Sequence, residues 1–492
     1  MEHAAVDAIV ESLVNTGESW PLLWDAEARV HVMQTKLHRW ATADSGRRFD
    51  DLFNLVYDPS FLVVAWDRVR GNKGARFAGI DGVAPRSIVF GADDLLTGLR
   101  ESLKAQRFSP VPVREKMIPK TGGKFRRLGI PTVADRVVQA SLKLVLEPIF
   151  EADFKPCSYG FRPKRRSQDA IAEIHFFASP TRNYEWVFEG DITACFDEID
   201  HTALMGRVRR RIGDKRVLRL VRSFLKAGVL GEDAVHRDTI AGTPQGGILS
   251  PLLANIALSV LDEHFTAKWD ALGTEYYRSK HRRNGGAICR FVRYANDFVV
   301  MVSGTRDHVE QLRDEVTAVL APIGLRLSES KTRICHIDEG FDFLGFRIQR
   351  KHRRGTNKRH VYTYPSKKAL ASIIDKIRVL TRRSWHRDLV TLLTRLNPVL
   401  RGWCNYFRHG TSKRAFGYVD SFAWRRIISW LRKRHFKLNW ATIRRRHLPT
   451  WEITAGGVTM FRPRAVPVTR YRTRFNIPTP WTPTPGSTAT AA

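Results

Sequence analysis

Cysteine is scarce. There are five in 492 residues (Cys157, Cys195, Cys289, Cys335 and Cys404), scattered, odd in number and without a C-x-x-C pair. That excludes a disulfide framework and a cysteine-built zinc site. Long apolar runs are missing too, and no stretch reaches the length that spanning a bilayer requires. The opening, MEHAAVDAIVES, carries acids and lacks a basic run ahead of an apolar core, so no secretory signal is read there. A reducing, cytoplasmic compartment is the expectation. Acidic residues are the third shortage: 49 Asp and Glu stand against 82 Lys and Arg, a net charge of +33 spread over many clusters. Such a field attracts polyanions. Nucleic acid is favoured, because neutralising phosphates releases counterions; an anionic membrane is the weaker reading.

What is present is a chain long enough for several cores, 43% hydrophobic and 10% aromatic. Ile288 to Ser303, ICRFVRYANDFVVMVS, reads as a β-hairpin whose tip is Tyr294, Ala295, Asn296 and Asp297. By itself this is equally a plain hairpin. Trp186 to His201, WVFEGDITACFDEIDH, is an apolar run ending on Asp191, where a lone carboxylate is often only a helix cap. Together the two acids mean more, since polyphosphate chemistry on Mg²⁺ wants carboxylates converging from separate strands. Between them Ala241 to Asn255, AGTPQGGILSPLLAN, is a Gly- and Pro-rich turn with Gln245 at its centre, where backbone can approach a ligand.

Upstream, Trp24 to Val69 has helical spacing, and Arg70 to Gly82 is a cationic loop containing Lys73, serving either a phosphate backbone or only a connection. Arg114 to Pro131 reads as a basic hairpin carrying Lys116, Lys120, Lys124, Arg126 and Arg127, suited to triphosphate or template or simply to solvent. Asp135 to Phe150 is helical, and Cys157 to Pro163 is a turn bearing Arg162.

These segments, in this order, resemble a group II intron reverse transcriptase/maturase over nearly the whole length. The resemblance rests on Ile118 to Lys120 with Gly123 to Pro131, on Asp135, Arg136, Val138 and Gln139, and on Ser158 to Pro163. It continues through Asp191 with Phe196, Thr243 to Gly247, Tyr294 to Asp297, Lys331 with Thr332, and Phe343 to Phe346. It implies an α+β right-hand polymerase, fingers and palm, followed by an α-helical maturase thumb. Asp191, Asp297 and Asn296 would hold two Mg²⁺ ions, and Lys331 would donate a proton to pyrophosphate. Lys120, Arg126, Phe196, Gln245 and Gly246 would form the nucleotide pocket. Lys73, Arg162, Arg401, Trp403, Tyr406, Arg425 and Arg426 would contact RNA. The implied partners are group II intron RNA, target and primer DNA and dNTPs, with a homodimer also open and a bacterial, nucleoid-associated place of action.

The sequence departs from the family at Arg127, where Pro is usual, and at Asn296, where the family's principal hairpin Asp belongs. An amide oxygen can ligate Mg²⁺ but brings no charge, and losing several kcal/mol of stabilisation, at ~1.4 kcal/mol per tenfold, slows a reaction roughly a thousandfold. A splicing cofactor with a weakened polymerase site is therefore the alternative. The expected units are 1–90, helical extension and basic loop; 91–350, fingers and palm; 351–443, thumb; 444–476, a basic nucleic-acid-binding segment; and 477–492, a disordered Pro- and Thr-rich tail. No endonuclease segment with paired cysteines is expected.

Overall fold

The computed structural model describes residues 20–482 apart from 120–122, 124, 234, 354, 383–387 and 449. Helix α1 (Leu23–Ala43) buries Ala26, Val30, Gln34, Leu37, His38 and Ala41, which share one face at helical spacing. Helix α2 (Pro59–Gly71) begins on a proline, and the Asp58 carboxylate accepts the Ser60 N–H at 2.8 Å. Helix α3 (Ala92–Lys104) leads to the basic hairpin, β1 (Val113–Pro119) antiparallel to β2 (Phe125–Ile130). Helix α4 (Val133–Glu151) is N-capped by Thr132, is buried on almost every side, and packs against α1 and α2. The segment expected as a separate N-terminal extension thus shares one core with the palm, Val30 and Leu62 lying in the same cluster as Leu142, Leu253 and Phe298.

After α5 (Ser167–Phe177) come β3 (Trp186–Asp191), the long α6 (Ser250–Ala271), β4 (Ile288–Tyr294), β5 (Asp297–Ser303) and β6 (Arg333–His336). They form a four-stranded antiparallel sheet in the order β4-β5-β3-β6. Strand alternation divides it between two cores: Phe188, Phe298 and Val300 face the first, Val187, Val299 and Met301 the second. Both faces being covered explains why β4 and β5 read as nearly continuous apolar runs.

A three-stranded sheet follows, β7 (Phe341–Phe343), β8 (Phe346–His352) and β9 (Arg359–Pro365). The basic stretch expected as a connector is thus largely the β8–β9 hairpin, and the boundary at residue 350 cuts through a strand. Its alternation is real, with Phe346, Ile348 and Arg350 all buried, but the third member is a charged residue neutralised by Asp338 and Glu185. The thumb is helical as expected: α7 (Lys367–Leu380), α8 (Leu389–Phe407), α9 (Lys413–Arg434) and α10 (Trp440–His447) enclose a third core around Ile377, Leu392, Leu396, Val419 and Ile427.

The last described segment qualifies one expectation and corrects part of another. From Phe461 to Thr482 the chain is a strap across the molecule. Arg462 and Arg464 pair with the buried Asp420 of α9, Arg474 with the buried Asp169 of α5, and the Trp481 indole donates to Gln34 Oε1 of α1 at 3.3 Å. Several arginines of the expected nucleic-acid-binding segment are therefore spent on carboxylates. The expected disordered tail begins inside the strap, where Ile477 and Trp481 are only 8% and 5% exposed; 483–492 lie outside the described residues. Among the described residues no helix is long and apolar enough to cross a membrane.

Candidate active site

The strand register brings the two acids together. Asp191, the last residue of β3, lies directly opposite Asp297, the first of β5, while Tyr294 and Asp297 close the two-residue turn Ala295-Asn296. Ala295 occupies the left-handed region at φ 57°, an unfavourable backbone for a residue with a Cβ. Asn296 Nδ2 donates to Asp191 Oδ1 at 3.3 Å, and the Lys331 ammonium pairs with Asp191 Oδ2. Both Asp191 oxygens are thus engaged within the chain. Although Asp297 is exposed at the hairpin tip, the loss of hydration where it faces the cleft and the neighbouring Asp191 carboxylate push it up to about 6, with Lys331 offsetting only part of this. Glu189, two residues before Asp191, is raised to about 7, chiefly by burial. These groups line a cleft of about 740 Å³ that also includes Asp342 and Lys368.

Two adjacent carboxylates whose charges oppose each other suit a hard divalent cation. Among the described residues no group of three or more His, Cys, Asp or Glu side chains is arranged to hold a metal ion. At the hairpin tip the neutral amide of Asn296 stands where a further carboxylate would complete one.

A second cleft, about 460 Å³, is lined by Ala194, Asp197, Arg127, Thr243 and Gln245. Gln245 ties its walls together: Oε1 accepts from Arg126 Nε and Nε2 donates to Asp197 Oδ2, both at 2.8 Å, while its carbonyl accepts the Gly129 N–H at 2.7 Å. Gly246 has φ 118°, and a Cβ there would stand 2.5 Å from Gly129 O, so only glycine lets the turn close on the β2 hairpin. Phe196 is half-buried, edge-on to Phe161 with ring centres 6.3 Å apart. Lys120, expected in this pocket, lies outside the described residues.

A set of positioning residues was not anticipated. Arg293, wholly buried on β4, makes a two-pronged ion pair with Asp262 of α6, at 2.8 and 2.5 Å. Its other donors reach Asn255 Oδ1, Ser158 Oγ and the carbonyl of Ala295, at 3.0, 2.7 and 2.9 Å. One guanidinium thereby joins the hairpin tip, α6 and the Ser158–Pro163 turn. Gly160 of that turn packs so closely that a Cβ would come within 2.2 Å of Ala295 N. A charged residue inside ICRFVRY and an acid inside the apolar α6 run were the available signals, since such charges survive burial only when paired.

The residues expected on RNA divide. Lys73, Arg401 and Arg425 are exposed, Arg401 lying 5.2 Å from the centre of the Phe461 ring. Arg162 is corrected: it is 6% exposed, chelates Glu151, and spends its remaining donors on the carbonyls of Phe154, Lys155 and Ser158. Trp403 is corrected likewise, for it packs between Phe407 and Phe416 where two cores meet. The Tyr406 hydroxyl donates to the Leu344 carbonyl at 2.9 Å, fixing the β7–β8 turn, and Arg426 is half-buried with Nε on Thr381 Oγ1 at 3.0 Å.

Residues 118–348 match the family model for reverse transcriptase (RNA-dependent DNA polymerase), and residues 370–448 the group II intron maturase-specific domain. The chain is 37% identical to Protein YkfC of Escherichia coli (strain K12) over 374 residues, which cover 71% of this chain and 98% of that one. It is 31% identical to the group II intron-encoded protein LtrA of Lactococcus lactis subsp. cremoris over 456 residues, 77% of this chain and 74% of that one. With the carboxylates, the pocket turn and the helical thumb in place, the chain belongs to the group II intron reverse transcriptase/maturase family.

Proposed function

We propose that this protein binds group II intron RNA through its thumb and basic surfaces, assists its splicing, and copies it into DNA from a primer at a target site, using dNTPs. The observation that carries the polymerase half is the register that sets Asp191 against Asp297 beside the Gln245 turn. Two Mg²⁺ ions, held by Asp191 and Asp297 with the Asn296 amide oxygen, would lower the pKa of a primer hydroxyl and offset charge on the departing pyrophosphate. Gln245 braces the pocket between Arg126 and Asp197, Arg126 supplies positive charge to the triphosphate, and Phe196 walls the sugar side. Lys331 neutralises Asp191 in the free enzyme, and with Mg²⁺ on that carboxylate it would be available to the pyrophosphate. The thumb presents Arg401 and Arg425 to RNA, and Lys73 adds a cation beside α2.

One observation favours a second reading, a splicing maturase with a weakened polymerase. Asn296 donates to Asp191 instead of adding a carboxylate, so a cation must displace an amide as well as Lys331. Primer extension on an RNA template with Mg²⁺ separates the two. If the first holds, the unmodified chain extends the primer, Asp191→Ala abolishes extension, and Asn296→Asp raises the rate by less than about tenfold, or ~1.4 kcal/mol. Extension only by Asn296→Asp, with assisted splicing unchanged, establishes the second.

A further inference from the structure

A cleft on the thumb is not used by the polymerase chemistry. It measures about 290 Å³ and is lined by Ser421, Trp424, Arg425, Trp451, Arg462 and Arg464. Trp424 and Arg425 stand on α9, whose apolar side, including Ala423, Ile427 and Leu431, is taken up by the thumb core. Trp451 lies just after α10, and the two remaining arginines open the strap.

Two features mark this as more than a basic surface. Trp451 is 56% exposed and held at φ 62°, so a large aromatic is kept in the strained left-handed region without being buried. The Arg444 guanidinium lies 5.2 Å from its ring centre. The second feature is Asp420, fully buried, which accepts from Arg462 Nε at 3.0 Å and from Arg464 Nε at 2.5 Å. One carboxylate fixes two forks and cancels one of their charges. Arg425 has neither an ion pair nor a hydrogen bond among the described residues. The cleft therefore combines exposed indole surface with surplus positive charge on pre-set guanidiniums.

A ligand matching both needs a flat π face and an anionic group close to it, which is the chemistry of a nucleotide. Within a duplex the base faces are covered by stacking, whereas an unpaired base is free to stack on an aromatic side chain. The volume is at the lower end of ligand-sized clefts and suits one base rather than a run of them. We propose that this thumb cleft captures a single unpaired nucleotide of a structured RNA, the base on Trp451 with Trp424 as the adjoining wall, the phosphate on Arg425 and Arg464. The proposal rests on the reading that the thumb binds intron RNA.

The test uses the full chain and two labelled RNA hairpins, identical except that one carries a single bulged adenosine. Binding is read by fluorescence anisotropy, with primer extension on a short primer and template as the control. Trp451→Ala is expected to weaken the bulged hairpin roughly tenfold or more, to change the paired one by less than about twofold, and to leave primer extension unaltered. Trp451→Phe retains most of the affinity, and Arg425→Gln lowers the salt slope by about one. Equal losses on both hairpins overturn the cleft and leave only general charge. Displacement of the bulged hairpin by AMP at concentrations near that hairpin's own Kd identifies a mononucleotide site instead, and displacement by a Glu-rich peptide a protein site. If the unmodified chain binds neither hairpin, the RNA-binding reading of the thumb itself falls; if it binds both equally, only the cleft does.

Discussion

At the scale of single residues, charge decides most of what this site can do. Asp297 holds its proton to about pH 6 when folded, against an ordinary carboxylate value in the unfolded chain. The folded state binds the extra proton between those values, so without a cation its stability declines as pH rises through that window and levels off above it. A divalent cation competes with the same proton. Calorimetric titration with Mg²⁺ is expected to show affinity rising from about pH 5 to about pH 7, with Asp297→Asn removing most of the rise; a flat profile in the unmodified chain contradicts the assignment. Arg293 poses the opposite case. Arg293→Met leaves Asp262 buried and unpaired, and is expected to cost about 3–5 kcal/mol in denaturant unfolding. Adding Asp262→Leu should recover much of that stability without recovering primer extension, because the bonds to Ser158, Asn255 and Ala295 are still lost. The carboxylates were legible because each sits at the edge of an apolar run, Asp191 at the end of one and Asp297 at the start of the other. The role of Arg293 was not, since its partners lie 31, 38 and 135 residues away.

Among the elements, the β4–β5 hairpin shows how local chemistry and long-range packing share a task. Its strands follow from β-branched and aromatic residues, and its turn from the polar tetrad, so both could be read directly. What aims the tip is the Ser158–Pro163 turn, pressed against it through Gly160. Gly160→Ala pushes a methyl group into the Ala295 amide and is expected to displace the tip by a fraction of an ångström. Because small misplacements near reacting groups are costly, primer extension should fall by about a hundredfold while circular dichroism stays native. The β8–β9 hairpin and the strap escaped sequence reading for a common reason. In both, buried positions are occupied by arginine or by residues within a polar run, so periodicity in apolar residues does not reveal them. Arg350, Arg462 and Arg474 look like solvated charge in the sequence, and their carboxylate partners become visible only in three dimensions.

Over the whole molecule, the strap links thumb, palm and the first helix. Trp481 is its terminal anchor, its ring 5.5 Å from that of His38. Trp481→Ala is expected to remove up to about 3–5 kcal/mol of local stability, the range for large aromatic truncations. Hydrogen exchange checks this: amides of 461–482 and of α1 near Gln34 should exchange faster while α8 and α9 stay protected; unchanged exchange in α1 refutes the anchoring role. The right-hand order of elements was legible from the ordered motifs, whereas this clasp was not, because it pairs residues from opposite ends of the described chain. That pairing also orders the molecule in time. The Trp481–Gln34 bond closes a loop of 447 residues. Contacts so far apart are slow to form and reward the chain only after the intervening units exist. During synthesis α1 emerges early and waits for a partner made hundreds of residues later, so fingers, palm and thumb each fold before the clasp shuts. Closure of the strap is then expected to be the last event of folding, and a chain still being made presents its arginine-rich thumb before the strap lies across it.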